Sequence, residues 1–192
     1  EHIILKKMKH NNIIKIIDYI ENENKIFLIL DYFNGDKLRY SKLDNNEMIT
    51  IFIEILKTIK YIHQQHIIHF DISSDNILYK DKQIKIIDFG NSIDLDKESN
   101  EYKLENMFGR WQNISPETFN TSKIGYFNDI WALGILLYNI KYKREPFYKK
   151  GFDIDKIYFN IKYKKINNII RYILTNYLDL NIDKIINFIF EN

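Results

Sequence analysis

The 192-residue chain contains no cysteine, two prolines and six glycines. Without cysteine, neither a disulfide framework nor a thiolate metal site can form. No apolar run approaches the roughly 18 residues that a membrane-spanning helix needs. The chain also does not open on a charged-then-apolar secretion leader. We therefore expect a cytoplasmic protein with no membrane segment.

Valine is absent and alanine occurs once, whereas isoleucine (39), lysine (24) and asparagine (22) dominate. Residues with AT-rich codons are enriched together, which indicates nucleotide bias in the coding DNA. Isoleucine-rich strands and asparagine-rich loops therefore say little about function. With 45% hydrophobic and 28% charged residues, the composition is that of a globular domain able to bury a core.

Positive charge is concentrated in residues 141–171, which hold ten lysines and arginines against three acidic residues. The net charge is +7 there and −5 elsewhere. Such asymmetry can mark a surface for an acidic substrate or a nucleic acid. Codon bias toward lysine is the simpler explanation, and no basic motif interleaved with aromatics accompanies the charge. We therefore expect no nucleic-acid partner.

Hydrophobic periodicity predicts several helices and strands. Helices are predicted over residues 1–10, 44–64, 128–140 and throughout 152–192. Strands are predicted over residues 13–20, 25–31, 67–69, 77–79 and 84–88. Asp44 or Asn45 is a candidate N-cap, and residues 128–140 are apolar on nearly every side, which predicts a buried helix. Residues 90–115 are polar and are expected to be irregular.

Four short motifs occur in a fixed order. They are His69-Phe70-Asp71 with Asn76 five residues after the aspartate, Asp88-Phe89-Gly90, Ser115-Pro116-Glu117, and Asp129-Ile130-Trp131. Each is weak alone, but together they closely resemble the eukaryotic protein kinase family over residues 1 to about 147. The resemblance implies an α+β, protein kinase-like fold in a partial domain spanning residues 1–192. It divides the chain into a remnant of the N-terminal β lobe, with helix C and two strands (1–30), a hinge (31–35) and a mainly helical C-terminal lobe (36–192).

The same resemblance implies the catalytic roles. Asp71 matches the aspartate that accepts or orients the proton of the substrate hydroxyl. Asn76 and Asp88 match the Mg²⁺ ligands, in keeping with the preference of this hard cation for oxygen. Glu1 matches the glutamate that pairs with a lysine on an upstream strand.

ATP is the implied nucleotide and a protein the implied substrate. Leu30 matches the gatekeeper, and Asp31 and Phe33 match the hinge whose backbone binds adenine. Leu78 and Asp88 complete the nucleotide-contacting set. Oligomeric state is left open.

A stack of apolar side chains that assembles in active kinases is matched by Leu5, Ile16, His69 and Phe89. Asp129 matches the aspartate that anchors its base. We interpret His69 as a packed member of this stack, not as a general base.

Several positions depart from the family pattern. Phe70 replaces an arginine, Ser73 a lysine, Arg110 a threonine and Asn113 a tyrosine, and no arginine partner for Glu117 is found near residues 178–182. Kinases without the arginine at position 70 generally need no activation-loop phosphorylation. We hypothesise that Arg110 reaches back to Asp71 and supplies the positive charge missing at Ser73, the alternative being an exposed loop arginine without a role.

The glycine-rich loop and the phosphate-binding lysine of the family lie upstream of the glutamate matched by Glu1, so this sequence does not contain them. We therefore expect the 192-residue chain to transfer phosphate poorly, and its first two strands to present an open, aggregation-prone edge.

Three functions are compatible with these residues. The first is a Mg-ATP-dependent protein kinase acting on serine or threonine. The second is a pseudokinase that serves as a binding or scaffold module, which Ser73 favours and the intact trio of Asp71, Asn76 and Asp88 disfavours. The third is a small-molecule kinase of the aminoglycoside type, which would lack Ser115-Pro116-Glu117 and the helix of Asp129 and Trp131.

Overall fold

A computed structural model describes residues 1–23, 25–95, 101–103, 111–147 and 152–192. The α-helices are α1 (His2–Lys7), α2 (Asn45–Gln64), α3 (Pro116–Thr121), α4 (Tyr126–Tyr142), α5 (Lys164–Asn176) and α6 (Ile182–Glu191). The strands are β1 (Ile16–Asn22), β2 (Lys25–Leu30), β3 (Asp36–Lys37), β4 (Ile67–Ile68), β5 (Ile77–Lys80), β6 (Gln83–Ile86), β7 (Ile93–Asp94), β8 (Glu101–Lys103) and β9 (Lys123–Gly125). Single 3₁₀ turns occur at Leu38–Tyr40, Ile154–Lys156 and Ile161–Tyr163.

The N-terminal part consists of α1 and the antiparallel hairpin of β1 and β2. Strand β1 begins at Ile16, later than the predicted start at residue 13. Ile13 instead forms a parallel bridge with Ile86, and the N–H of Ile14 donates to the Ile86 carbonyl at 3.0 Å. These two residues are buried in the core of the larger part, so the hairpin is joined to that part through them.

The larger part is built around α2 and α4. Asp44, one of the two predicted candidates, caps α2, because its carboxylate accepts hydrogen bonds from the N–H groups of Asn46 and Glu47 at 2.8 and 2.9 Å. Helix α4 is buried on nearly every side, and the side chain of Trp131 is fully enclosed. Helix α5 packs on α4, and α6 packs on α2. The buried central helix is confirmed, and it extends two residues beyond the prediction at each end.

Two predictions were wrong in part. Residues 152–163 form two 3₁₀ turns and extended chain instead of α-helix, because aromatic packing holds them. Phe152 packs edge-on against Trp131, and Phe159 packs edge-on against Tyr138. Residues 90–115 are not wholly irregular, since β7 pairs with β4 and β8 pairs with β9. The rest of this segment includes 96–100 and 104–110, which lie outside the described residues.

Within the described part of the chain, no helix combines the length and apolar character needed to cross a bilayer.

Gly134 of α4 lies directly against Leu174 and Ile173 of α5. A Cβ atom at this position would lie 2.6 Å from Leu174 Cδ2 and 3.1 Å from Ile173 Cγ2. Gly134→Ala would gain helix propensity of about 1 kcal/mol, but overpacking costs about 1–3 kcal/mol. We expect the substitution to lower the free energy of unfolding by about 1 kcal/mol in a urea titration. With Leu174→Ala added, the double variant should lose less stability than the sum of the single variants, whereas additive losses would contradict the steric explanation.

Candidate active site

The loop between β4 and β5 brings Asp71 and Asn76 together. Asn76 Nδ2 donates to Asp71 Oδ2 and to the Asp71 carbonyl oxygen, both at 3.0 Å. The Asn76 N–H donates to the Ser73 carbonyl at 3.1 Å, which closes the turn between them. Asp71 Oδ1 is buried and has no hydrogen-bond partner among the described residues. The loop therefore holds a carboxylate in a fixed orientation with one oxygen left to accept a proton or a hydrogen bond.

Asp129, on the first turn of α4, fixes the backbone that precedes Asp71. Its carboxylate is fully buried and accepts hydrogen bonds from the N–H groups of His69 and Phe70, each at 2.9 Å. Phe70 has φ = 60°, in the left-handed region. That conformation is costly for a residue with a side chain, and the bond to Asp129 helps to maintain it. The structure thus supports the anchoring position that the resemblance implied for Asp129.

His63 is a third partner of Asp129, which the sequence reasoning missed. Its Nε2 lies 2.8 Å from Asp129 Oδ2, and its ring packs against Tyr126 with centroids 4.5 Å apart. His63 directly follows Ile62, the last buried residue of the α2 stripe. Nothing local distinguishes it from a solvated residue near a helix end, so only the tertiary contact reveals its role.

His69 is packed in the interior. Its ring and that of Phe89 are both fully buried, with centroids 4.7 Å apart, and Leu5 is buried in the same core as Phe89. Ile16 is half-buried against this core. Burial lowers the pKa of the His69 imidazole despite the nearby carboxylates. A neutral, enclosed ring agrees with the packed position predicted for this residue.

The Asp88-Phe89-Gly90 segment places two carboxylates beside each other. Glu1 Oε1 accepts the Phe89 N–H at 3.1 Å, and Asp88 Oδ1 accepts the Gly90 N–H at 3.2 Å. A Cβ atom on Gly90 would lie 3.2 Å from Asp88 Oδ1 and 4.0 Å from Glu1 Oε2. Glu1 therefore ties α1 to this segment, while the Asp88 side chain remains exposed.

Two hydrogen bonds connect the residues after this segment to the loop that carries Asp71. Ser92 Oγ donates to the His69 carbonyl at 3.1 Å, and Asn91 Nδ2 lies 3.5 Å from Asp71 Oδ2. The sequence motifs of Asp71 and Asp88 are thus neighbours in the fold, as the resemblance implied.

Apart from Asp88, the residues predicted to contact the nucleotide lie at the end of β2, in the segment after it and on β5. The Asp31 carboxylate accepts the Lys15 N–H at 2.7 Å, so this side chain positions the segment. The carbonyl of Asp31 and the N–H of Phe33 make no hydrogen bond within the described residues. Leu30 is one-third exposed, and Leu78 is half-buried outside the apolar core. Strand β3 continues this segment and pairs Lys37 with Leu78, which joins it to the strand that follows Asn76.

The oxygen ligands expected for Mg²⁺ are few. Among the described residues, no group of three or more His, Asp and Glu side chains could enclose a metal ion. Asn76 donates both of its described side-chain hydrogen bonds to Asp71, which leaves its amide oxygen for a cation. One amide and one carboxylate, from Asn76 and Asp88, fit a cation that takes most of its ligands from water and phosphate.

The residues that depart from the family pattern lie in different surroundings in the structure. The Ser73 hydroxyl is buried and unpartnered among the described residues, and Phe70 joins an apolar cluster with Ile68, Leu95 and Ile124. Tyr177 packs against Trp131, with ring centroids 5.1 Å apart. Burial raises the pKa of its hydroxyl, which lies close to Glu117. Arg110 lies outside the described residues, and so does its hypothesised contact with Asp71.

Because burial lowers the pKa of His69, protonation favours the unfolded chain, in which a histidine has a pKa near 6.5. The free energy of unfolding should therefore fall as the pH drops below about 6.5, by up to ~1.4 kcal/mol per pH unit for this group. His69→Phe should remove that part of the slope in urea titrations between pH 5.5 and 7.

His10 provides the matched control, since it is only half-buried and burial lowers its pKa as well. His10→Phe should reduce the slope less than His69→Phe does. Equal slopes in the parent and the His69→Phe variant would contradict the buried neutral imidazole.

Comparison with known proteins agrees with this geometry. A family model described as the protein kinase domain matches residues 1–188. Serine/threonine-protein kinase 1 of African swine fever virus is 33% identical over 161 residues, covering 77% of this chain and 52% of that protein. Death-associated protein kinase 2 from human and mouse is 31% and 32% identical over 154 residues, covering 75% of this chain and 41% of each relative.

The chain therefore spans about half the length, or less, of the curated relatives it matches. The family match covers nearly all of it, including the loop of Asp71 and the helix of Asp129. Sequence motifs, tertiary contacts and the family match agree, and the chain belongs to the protein kinase domain family.

Proposed function

We propose that the protein transfers the γ-phosphoryl group of ATP to a serine or threonine hydroxyl of a protein substrate, in a reaction that requires Mg²⁺. The observation that carries this proposal is the Asp71 carboxylate, held by Asn76 with one buried oxygen unpartnered. The relatives named as serine/threonine kinase and death-associated protein kinase support the substrate class. The proposed location is the cytoplasm, where ATP and protein substrates are available.

Asp71 is assigned to the acceptor hydroxyl. Its carboxylate accepts the hydroxyl proton as the acceptor oxygen bonds to the γ-phosphorus and the bond from that phosphorus to the β-phosphate oxygen breaks. Asn76 and Asp88 would hold the Mg²⁺, which neutralises charge on the phosphates when bound. Positioning by these side chains is the main protein contribution, since phosphoryl transfer needs in-line geometry and charge stabilisation.

The nucleotide is assigned to the segment that follows β2. The unbonded carbonyl of Asp31 and N–H of Phe33 are suited to the adenine edge, with Leu30 and Leu78 as apolar contacts. Glu1 is assigned, as the family resemblance implies, to an ion pair with a lysine on an upstream strand. Its bond to the Phe89 N–H would transmit the position of α1 to Asp88.

Phe70 is relevant to whether kinase activity is regulated by phosphorylation. Its apolar cluster, which includes Ile124, joins the catalytic loop to β9 without charged groups. A phosphorylated activation segment would find no arginine at this position, so we propose that activity does not depend on such phosphorylation.

A pseudokinase or scaffold is the second candidate, and Ser73 favours it. The lysine expected here would place a cation near the transferred phosphate, whereas Ser73 is a buried neutral hydroxyl. The experiments on Asp71 and Arg110 separate the two functions.

Phosphotransfer should be measured on the full-length natural protein, with radiolabelled ATP, Mg²⁺ and a serine-containing protein substrate. Asp71→Asn should lower kcat by about 10²–10⁴-fold, since the proton acceptor is lost. Asp88→Asn should weaken nucleotide binding in the presence of Mg²⁺ more than in its absence.

Asp183→Asn on α6 is the matched control, because this carboxylate is exposed and pairs with Lys60. It should leave kcat unchanged. A folded parent protein with no detectable transfer would favour the pseudokinase.

The proposed compensation at Ser73 has its own test in the same assay. Arg110→Ala should reduce kcat by about 10²-fold, and adding Ser73→Lys should restore part of it, since either cation can face the phosphate. Arg171→Ala, which removes an arginine over the Phe159 ring, serves as control. A value for Arg110→Ala within about threefold of the parent, ~0.65 kcal/mol, would overturn the compensation.

A further inference from the structure

Arg39 makes three hydrogen bonds to two consecutive residues of the loop that carries Asp71. Its backbone N–H donates to the Ser74 carbonyl at 3.2 Å, and its Nη1 donates to both carboxylate oxygens of Asp75 at 2.8 and 3.0 Å. Arg39 lies 36 residues before Asp75 in the chain, and none of the four sequence motifs includes it. These contacts therefore join the segment that follows the hinge to the catalytic loop.

The Asp75 carboxylate is largely withdrawn from water. The side chain of Asp75 is 8% exposed, whereas that of Arg39 is 51% exposed. The Lys37 ammonium lies farther away, 3.5 Å from Asp75 Oδ1. A buried carboxylate that loses a contacting cation keeps a charge that is poorly compensated. Arg39 thus supplies the shorter of the two described cation contacts that stabilise this carboxylate.

The turn that carries Arg39 is itself fixed. Leu38 is fully buried, and its carbonyl accepts the Ser41 N–H at 3.1 Å. Lys143, directly after α4, donates from Nζ to the carbonyl oxygens of Arg39 and Ser41 at 2.9 Å each. The guanidinium therefore extends from a backbone that is held at both sides, which lets it hold the loop in turn.

The two residues that Arg39 contacts directly precede Asn76, whose amide is assigned to Mg²⁺. The Asn76 side chain bonds to Asp71, and its carbonyl accepts the Ile87 N–H at 2.9 Å. Arg39 holds the chain on the N-terminal side of Asn76, so its contacts restrict the direction in which the amide oxygen points. Residues that orient a metal ligand in this way commonly change metal affinity or activity by roughly 10–100-fold.

We propose that Arg39 is a positioning residue: through Ser74 and Asp75 it holds the Asn76 amide in the orientation needed to bind Mg²⁺ together with the nucleotide. The proposal rests on the proposed function and adds to it a residue outside the family motifs. Because Arg39 follows the segment 31–35 assigned to adenine, the same contacts connect the two parts of the nucleotide site.

The test measures the binding of a non-hydrolysable ATP analogue to the full-length natural protein by calorimetry, once with Mg²⁺ and once with EDTA. The ratio of the two dissociation constants is the gain in affinity due to Mg²⁺. Arg39→Gln should reduce this gain about tenfold and leave the affinity in EDTA within about threefold of the parent. Arg39→Lys keeps the charge without the planar guanidinium, so it should retain part of the gain.

Two controls show whether the effect belongs to Arg39. Lys37→Gln removes the more distant cation and should reduce the gain less than Arg39→Gln does. Arg171→Gln makes the same substitution at an exposed arginine that lies over the Phe159 ring, and it should leave the gain unchanged.

A double variant separates positioning from stability. Arg39→Gln should lower the free energy of unfolding in a urea titration, because Asp75 loses its closer cation. Adding Asp75→Asn removes the buried charge and should restore stability, whereas the gain in affinity due to Mg²⁺ should stay reduced. Recovery of that gain together with stability would show a merely structural contact and overturn the proposal.

The binding readout is independent of catalysis. An unchanged gain in Arg39→Gln, an equal loss of affinity with Mg²⁺ and with EDTA, or a parent affinity that does not depend on Mg²⁺ would overturn the positioning role. If phosphotransfer by the parent is measured at the same time, the role of Arg39 fails while the proposed function stands. A reduced gain in Arg39→Gln with no phosphotransfer by the folded parent would support the positioning role and overturn the proposed function.

Discussion

The arrangement of the site depends on one buried carboxylate. Asp129 accepts two backbone N–H groups from the catalytic loop and contacts His63 on α2, so a single side chain joins α4, α2 and the loop that carries Asp71. Removing one partner from a buried charge costs about 3–5 kcal/mol, which makes the contacts strongly interdependent. These hydrogen bonds hold Phe70 in its left-handed conformation. The backbone at Phe70 in turn determines where the following loop, with Asp71 and Asn76, begins.

Around this anchor, uncharged contacts occupy positions where the family usually has charged ones. Phe70 lies in an apolar cluster in place of an arginine, and the Tyr177 hydroxyl, whose pKa is raised by burial, lies close to Glu117. Such contacts need no charged partner and change little with salt. These apolar contacts add to the hydrogen bonds of Asp129 in holding the loop that carries Asp71. Arg39, Lys143 and Arg144 line a cavity of about 370 Å³ beside that loop.

Two residues of the basic stretch 141–171, Lys143 and Arg144, line this cavity. Codon bias explains the lysine excess of the stretch as a whole, whereas the fold determines where each side chain lies. Lys143 Nζ donates to the carbonyl oxygens of Arg39 and Ser41 at 2.9 Å each, and Arg144 lies over the Tyr158 ring at 4.6 Å.

The sequence by itself determined the elements whose signals are local. The Asp44 cap, the apolar stripe of α2 and the buried α4 follow from periodicity, and the ordered motifs determined the family and the closeness of Asp71 to Asn76. Other features were decided by contacts between distant residues. Aromatic packing on Trp131 and Tyr138 kept residues 152–163 out of an α-helix, and His63 acquired its role only because Asp129 lies opposite. Ser73, Asn113 and Arg39 line one cavity although they lie far apart in the chain, because only the tertiary fold brings these segments together.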